Sequence, residues 1–236
     1  MRKRLFGKDF ATYGVRALAG KVLALFLLVM TATMPAAAVA ERVTLVAMGD
    51  SLTQGYGLVA EQGFVPQLRD WLAQQGHGDV QVVNAGVSGD TSAGGLARVD
   101  WSLTAQVDAM IVALGGNDLL RGIDPAVTRA NIEGILQAAQ AADVAVLLVG
   151  MRAPGNYGAE YKAEFDAIWP DLAEKYGTLY HPSYFEGLGA DDPASARRFM
   201  QPDGIHPNAR GGERIVAAVG PKVVELISRA RQGEGG

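Results

Sequence analysis

Five short apolar runs, each followed by an amphipathic stretch, constrain this chain more than any other feature. They are Val43 to Met48, Val80 to Val83, Ala109 to Leu114, Val144 to Val149 and the weaker Thr178 to Tyr180. Their apolar residues are contiguous rather than alternating, which marks strands covered on both faces and therefore a parallel sheet between layers of helix. Helical periodicity falls at about Gly63–Gln75, Ala93–Trp101, Pro125–Ala142, Ala159–Tyr176 and Asn208–Arg231. Pro125 behind Asp124 is a standard helix start, a capping carboxylate followed by a residue that needs no N–H partner. The expected architecture is a three-layer αβα sandwich of the α/β class. In such sheets ligands bind beyond the carboxyl ends of the strands, so the irregular stretches Met151–Gly158 and Ser183–Pro202 are expected to shape a substrate site.

The first forty residues read differently. Arg2, Lys3, Arg4, Lys8, Arg16 and Lys21 precede the uncharged run Val22–Met30, and Ala36–Ala40 ends in an A-x-A pattern. This is the layout of a secretory signal cleaved after Ala40. Thr31, Thr33 and Pro35 interrupt the segment as a bilayer helix, and the chain has no cysteine for a lipid anchor. The expectation is an exported, periplasmic or secreted protein with no stable membrane anchor after cleavage, a folded domain over 41–231 and a disordered tail over 232–236. Six basic groups and one acidic group lie in residues 1–40, so the remainder carries 15 Lys and Arg against 24 Asp and Glu, a net charge of −9. That balance excludes nucleic acid as a natural partner and suits a small neutral or lipid substrate. The lack of cysteine removes thiol nucleophiles and thiolate metal sites, and three histidines are too few for a histidine-rich one. No cofactor and no metal are expected.

Four polar stretches lie where a strand gives way to a loop, or in the last loop before the terminal helix. They are Gly49-Asp50-Ser51-Leu52, Asn84 to Asp90, Gly115 to Asp118, and Asp203 to His206. Parallel strands would gather the first three at one sheet edge. A serine hydroxyl becomes a nucleophile when a base takes its proton and a third group orients that base. Ser51, His206 and Asp203 supply those types. The backbone N–H of Ser51, that of Gly89 and the side-chain amide of Asn117 would serve a developing oxyanion. Each has a plainer reading alone: Ser51 as a helix cap, Asp203 as an Asx turn, Gly89 and Asn117 as turn residues. Of the other histidines, His77 sits in a polar turn before a strand, and His181, after the last strand, is the rival base.

These stretches resemble the blocks of the SGNH hydrolases, also called GDSL esterases and lipases. Ser51, Gly89, Asn117 and His206 match the four lettered positions. The likeness extends through GDSLTQGY (Gly49–Tyr56), SGDTSAGGLAR (Ser88–Arg98), GGNDLLRG (Gly115–Gly122), RAPGNYG (Arg152–Gly158) and DGIHPN (Asp203–Asn208), which look like the exported bacterial thioesterase I/lysophospholipase L1 and arylesterase subgroup. The resemblance implies a flavodoxin-like five-stranded parallel sheet and metal-free hydrolysis of aryl esters, lysophospholipids or thioesters through a serine acyl-enzyme. Within the same fold it also admits a polysaccharide O-deacetylase. Two readings from other classes stand beside it: an acyl- or glycan-binding module without turnover, and a dinucleotide oxidoreductase suggested by Gly55 to Ala60, which fits G-x-G-x-x-A but begins seven positions after Met48 instead of directly after the strand.

Overall fold

A computed structural model describes residues 42–189 and 196–233. The leader expected over 1–40, part of the second excursion (190–195) and tail positions 234–236 lie outside the described residues.

Five strands, β1 (Thr44–Gly49), β2 (Gln81–Gly86), β3 (Ala109–Ala113), β4 (Ala145–Val149) and β5 (Leu179–His181), form one parallel sheet in the order β2-β1-β3-β4-β5. Every residue of β3 and β4 is buried, as is all of β1 after Thr44, which is why these strands appear as unbroken apolar runs. The helices are α1 (Ser51–Gln54), α2 (Phe64–Gln74), α3 (Ser92–Ala97), α4 (Val99–Ser102), α5 (Gly116–Leu120), α6 (Pro125–Ala141), α7 (Ala159–Tyr176) and α8 (Ala209–Gln232). α2 and α8 pack together on one side of the sheet, while α6 packs between α3 and α7 on the other. Trp169 and Phe165 of α7 are fully buried and meet edge to face at 4.8 Å between ring centroids. Asp124 caps α6 as expected, accepting from Ala126 N–H at 2.8 Å.

The chain winds from β1 outward to β2, then returns to place β3 on the other side of β1. That reversal opens a crevice beyond the carboxyl ends of β1 and β3, the place where such sheets take ligands.

Three expectations change. β2 continues through Asn84-Ala85-Gly86, which the sequence suggested as loop, because pairing to β1 runs to Gly49 opposite Gly86. The single helix expected over Ala93–Trp101 divides at Arg98, whose guanidinium turns inward to Asp90 Oδ2 at 2.6 Å and the Gly49 carbonyl at 2.9 Å. At the other end α8 continues to Gln232 with Gly233 as its left-handed cap, so Gln232, expected in the tail, is helical.

Candidate active site

β1 ends in a turn with no room for side chains. A Cβ on Gly49 would lie 2.8 Å from the Ala113 carbonyl, and one on Gly86 would lie 2.3 Å from Gln54 N. Glycine at both positions lets α1 begin hard against the sheet. Asp50 caps that helix, accepting from Leu52 N–H at 2.9 Å, and Ser51 is its first residue. The plain reading of Ser51 as a cap therefore falls to its neighbour, leaving the Ser51 hydroxyl unspent. Tyr184, in the loop after β5, steadies α1 by donating its hydroxyl to the Leu52 carbonyl at 3.0 Å.

The Ser51 Oγ lies 2.9 Å from Nε2 of His206, and His206 Nδ1 lies 2.7 Å from Asp203 Oδ2. Asp203 Oδ1 meanwhile accepts from the backbone N–H groups of Ile205 (2.9 Å) and His206 (3.0 Å). The Asx turn and the imidazole partner, which the sequence presented as alternatives, are thus two oxygens of one carboxylate. Gly204, at φ +69°, lets the turn close. The hydrogen bond to His206, followed by those two backbone donors, holds the Asp203 carboxyl down at about 2. An ionised Asp203 only accepts, so Nδ1 carries the imidazole proton and Nε2 is left to accept from the serine. The Tyr56 ring lies against the imidazole, 4.7 Å between centroids.

The two further donors expected also reach this place. Gly89 sits at φ +85° in the turn closed by Asp90 N–H to the Val87 carbonyl, and Arg121 donates to its carbonyl at 2.8 Å. Asn117 lies in the first turn of α5. Ser51, Gly89, Asn117 and His206 line one cleft of about 800 Å³. Both irregular excursions contribute to its walls, Met151, Arg152 and Pro154 from the first, Phe185, Leu188 and Met200 from the second.

The rivals separate from the site. His77 turns before β2, at the opposite edge of the sheet. His181 ends β5 but is buried, and burial lowers its pKa; its Nε2 is 3.6 Å from Glu186 Oε2, and it does not line the cleft. Gly55 is the left-handed cap of α1, so Gly55 to Ala60 is not the turn after a strand that a dinucleotide requires.

Sequence reasoning passed over two carboxylates. Asp118 is fully buried and accepts from Ser92 N–H at 2.8 Å, from the Ser92 hydroxyl, and from the Thr128 hydroxyl at 3.2 Å, tying α3, α5 and α6 together behind Asn117. Asp50 is 1% exposed, and burial pushes its carboxyl up to about 6 against the opposing pull of Leu52 N–H, the Asn117 amide and His206. A carboxylate directly after a buried strand and before a candidate nucleophile was the available signal for Asp50.

Each link in this chain of groups has a defined capacity. The hydroxyl can be deprotonated by the imidazole, the imidazolium is balanced by a carboxylate, and the cleft is lined largely by apolar side chains. Such an arrangement belongs to the serine-type ester hydrolases. Comparison with known proteins agrees. Residues 47–214 match the GDSL-like Lipase/Acylhydrolase family, and the chain belongs to that family, the GDSL or SGNH hydrolases; it is an ester-hydrolysing enzyme. It is 40% identical over 185 residues to the Esterase TesA of Pseudomonas aeruginosa, covering 78% of this chain and 89% of that one. It is also 40% identical over 167 residues to the Thioesterase 1/protease 1/lysophospholipase L1 of Escherichia coli K12, covering 70% and 76%. Among solved structures it resembles AlinE4, an SGNH-hydrolase family esterase, with a TM-score of 0.64 and 43% identity over 79% of this chain and 97% of that one.

Proposed function

We propose that the enzyme cleaves acyl esters through a covalent intermediate on Ser51. The observation that carries this reading is the continuous contact from Ser51 Oγ to His206 Nε2 (2.9 Å) and from Nδ1 to Asp203 (2.7 Å) inside an apolar cleft. His206 takes the hydroxyl proton as the oxygen attacks the acyl carbon. The N–H groups of Ser51 and Gly89 and the Asn117 amide receive the negative charge that forms on the carbonyl oxygen. The imidazolium then protonates the departing alcohol, and a water activated by the same imidazole releases the acid.

The cleft suits a lysophospholipid or a related phosphate-bearing lipid ester, and it is location that disfavours an acyl-coenzyme A thioester, which carries the same two recognisable parts. Apolar side chains fit a fatty acyl group, and Arg152 and Arg197 line the same cleft, where guanidinium groups suit a phosphate. The basic leader and its A-x-A end support export, and coenzyme A thioesters are scarce outside the cytoplasm. Aryl esters and thioesters remain chemically competent substrates for the same serine.

A panel of p-nitrophenyl esters from acetyl to palmitoyl, run beside palmitoyl-lysophosphatidylcholine on wild type and Ser51→Ala, tests the reaction. Hydrolysis by wild type that vanishes in the variant supports the assignment; hydrolysis surviving in Ser51→Ala refutes it. N-terminal sequencing of protein from the periplasm should begin at Glu41, and a retained leader would refute cleavage.

A further inference from the structure

The scheme above gives Asp50 no part, although its carboxylate is buried beside the nucleophile. Oδ1 accepts from Leu52 N–H at 2.9 Å, and Oδ2 accepts from Asn117 Nδ2 at 3.2 Å, a contact between residues 67 positions apart. The approach depends on Gly116, where an added Cβ would stand 3.1 Å from Oδ2. One carboxylate thus joins the helix that carries the nucleophile to the helix that carries the amide.

We propose that Asp50 is the positioning residue of the oxyanion site: by accepting one N–H of the Asn117 carboxamide it turns the nitrogen of that amide, rather than its oxygen, toward the reacting carbonyl. This inference rests on the serine-esterase reading above. The two ends of a primary amide have nearly the same shape, so sterics discriminate between them weakly. An ionised carboxylate discriminates completely, because it can only accept, and the second N–H of the same nitrogen is then free for the oxyanion. A neutral carboxyl gains a donor. It can hold the flipped amide by donating to its oxygen, and the flipped amide offers a lone pair where a negative charge must form. Asp50 transfers no proton during turnover; its ionised state is a precondition.

The groups facing Asp50 fit this arrangement. Leu52 N–H and the Asn117 amide favour the ionised form, as does His206 from the last loop while it carries a charge, and the Tyr184 hydroxyl is spent on the Leu52 carbonyl. Burial opposes ionisation, so protonation near pH 6 falls within the range an assay can reach.

Asp50→Asn is the near-isosteric probe. Its side-chain oxygen can retain the helix cap, since asparagine caps as well as aspartate, but its NH₂ then faces Asn117. Initial rates on p-nitrophenyl butyrate are measured for wild type, Asp50→Asn, Asn117→Ala and the double variant. Asp50→Asn is expected to lose on the order of 10² in kcat with KM changed less than about threefold, the pattern of an interaction made only in the transition state. The double variant should be no slower than Asn117→Ala, because Asp50 acts only through that amide. The acid limb of kcat/KM should be steeper in wild type, where Asp50 must also be ionised, than in Asp50→Asn, which lacks that requirement. Asp50→Ser, which caps but cannot span to Asn117, provides a second probe if the first fails to fold and should show the same kcat loss. Wild-type kcat in either folded variant, or losses that multiply in the double variant, would overturn the proposal while leaving the esterase reading intact. Inactivity of the wild type would remove both.

Discussion

Replacing Asp50 with asparagine should change stability as well as rate, and the size of that effect follows from its burial. The Asp50 carboxyl ionises near pH 6 in the folded chain against an ordinary 3.8. A raised carboxyl contributes stability that is fully present below pH 3.8 and is lost as pH rises through 6, because folding then requires burial of a charge. A displacement of about two pH units corresponds to about 3 kcal/mol in full, and to about 2 kcal/mol between pH 4.5 and pH 8. Asparagine does not titrate, so the stability of Asp50→Asn relative to wild type should rise by about 2 kcal/mol over that interval. Urea unfolding of both proteins at both pH values isolates the term, since contributions from Asp203 and other carboxylates common to the two proteins cancel in the difference. In a thermal melt the same change corresponds to about 4–8 °C for a domain of this size. A stability difference that stays constant to within about 0.5 kcal/mol from pH 4.5 to pH 8 would refute the argument that burial, rather than the neighbouring donors, governs Asp50. The expected combination is a slower enzyme whose stability relative to wild type rises with pH.

Ser51→Ala should reduce turnover by at least about 10³ and abolish labelling by a fluorophosphonate, read by mass spectrometry of the intact chain. Combined Arg152→Ala and Arg197→Ala should raise KM for palmitoyl-lysophosphatidylcholine by about tenfold while leaving p-nitrophenyl butyrate within about twofold, because only the former carries a phosphate for a guanidinium to hold; equal effects on both would argue against a headgroup role. Gly86→Ala should cost about 1–3 kcal/mol in urea unfolding and on the order of 10² in kcat, since its methyl would press on the backbone at Gln54 N and displace the helix that carries Ser51.

The parts of this fold that were legible in the sequence are those where burial is uniform. β1, β3 and β4 were found because a strand covered on both faces must be apolar along its length, whereas β2 and β5 at the sheet edges gave shorter signals, and the bounds of Ala159–Tyr176 were legible because Gly158 and Gly177 flank its helical stripe. The end of β2 was missed for the converse reason. Asn84, Ala85 and Gly86 are not an apolar run, and only ladder pairing to β1 makes them strand. The break at Arg98 was equally hidden, because its cause is a guanidinium reaching Asp90 and the Gly49 carbonyl, the latter 49 positions away.

The same division applies to the site. Residue types and strand-end positions were enough to nominate Ser51, Gly89, Asn117, Asp203 and His206, since a hydroxyl, an imidazole, a carboxylate and amide donors have few joint uses, and parallel strands bring their ends together. Position in the chain could not show that Asp50, rather than Ser51, caps the helix, nor that its carboxylate reaches Asn117 across the crevice. The reach to Asn117, like the Ser51–His206 contact, depends on distances between segments 67 and 155 residues apart, which local composition does not encode. Local periodicity determined which segments become strands and helices; packing of those segments decided which polar atoms lie within 3 Å of each other, and reactivity follows from that separation.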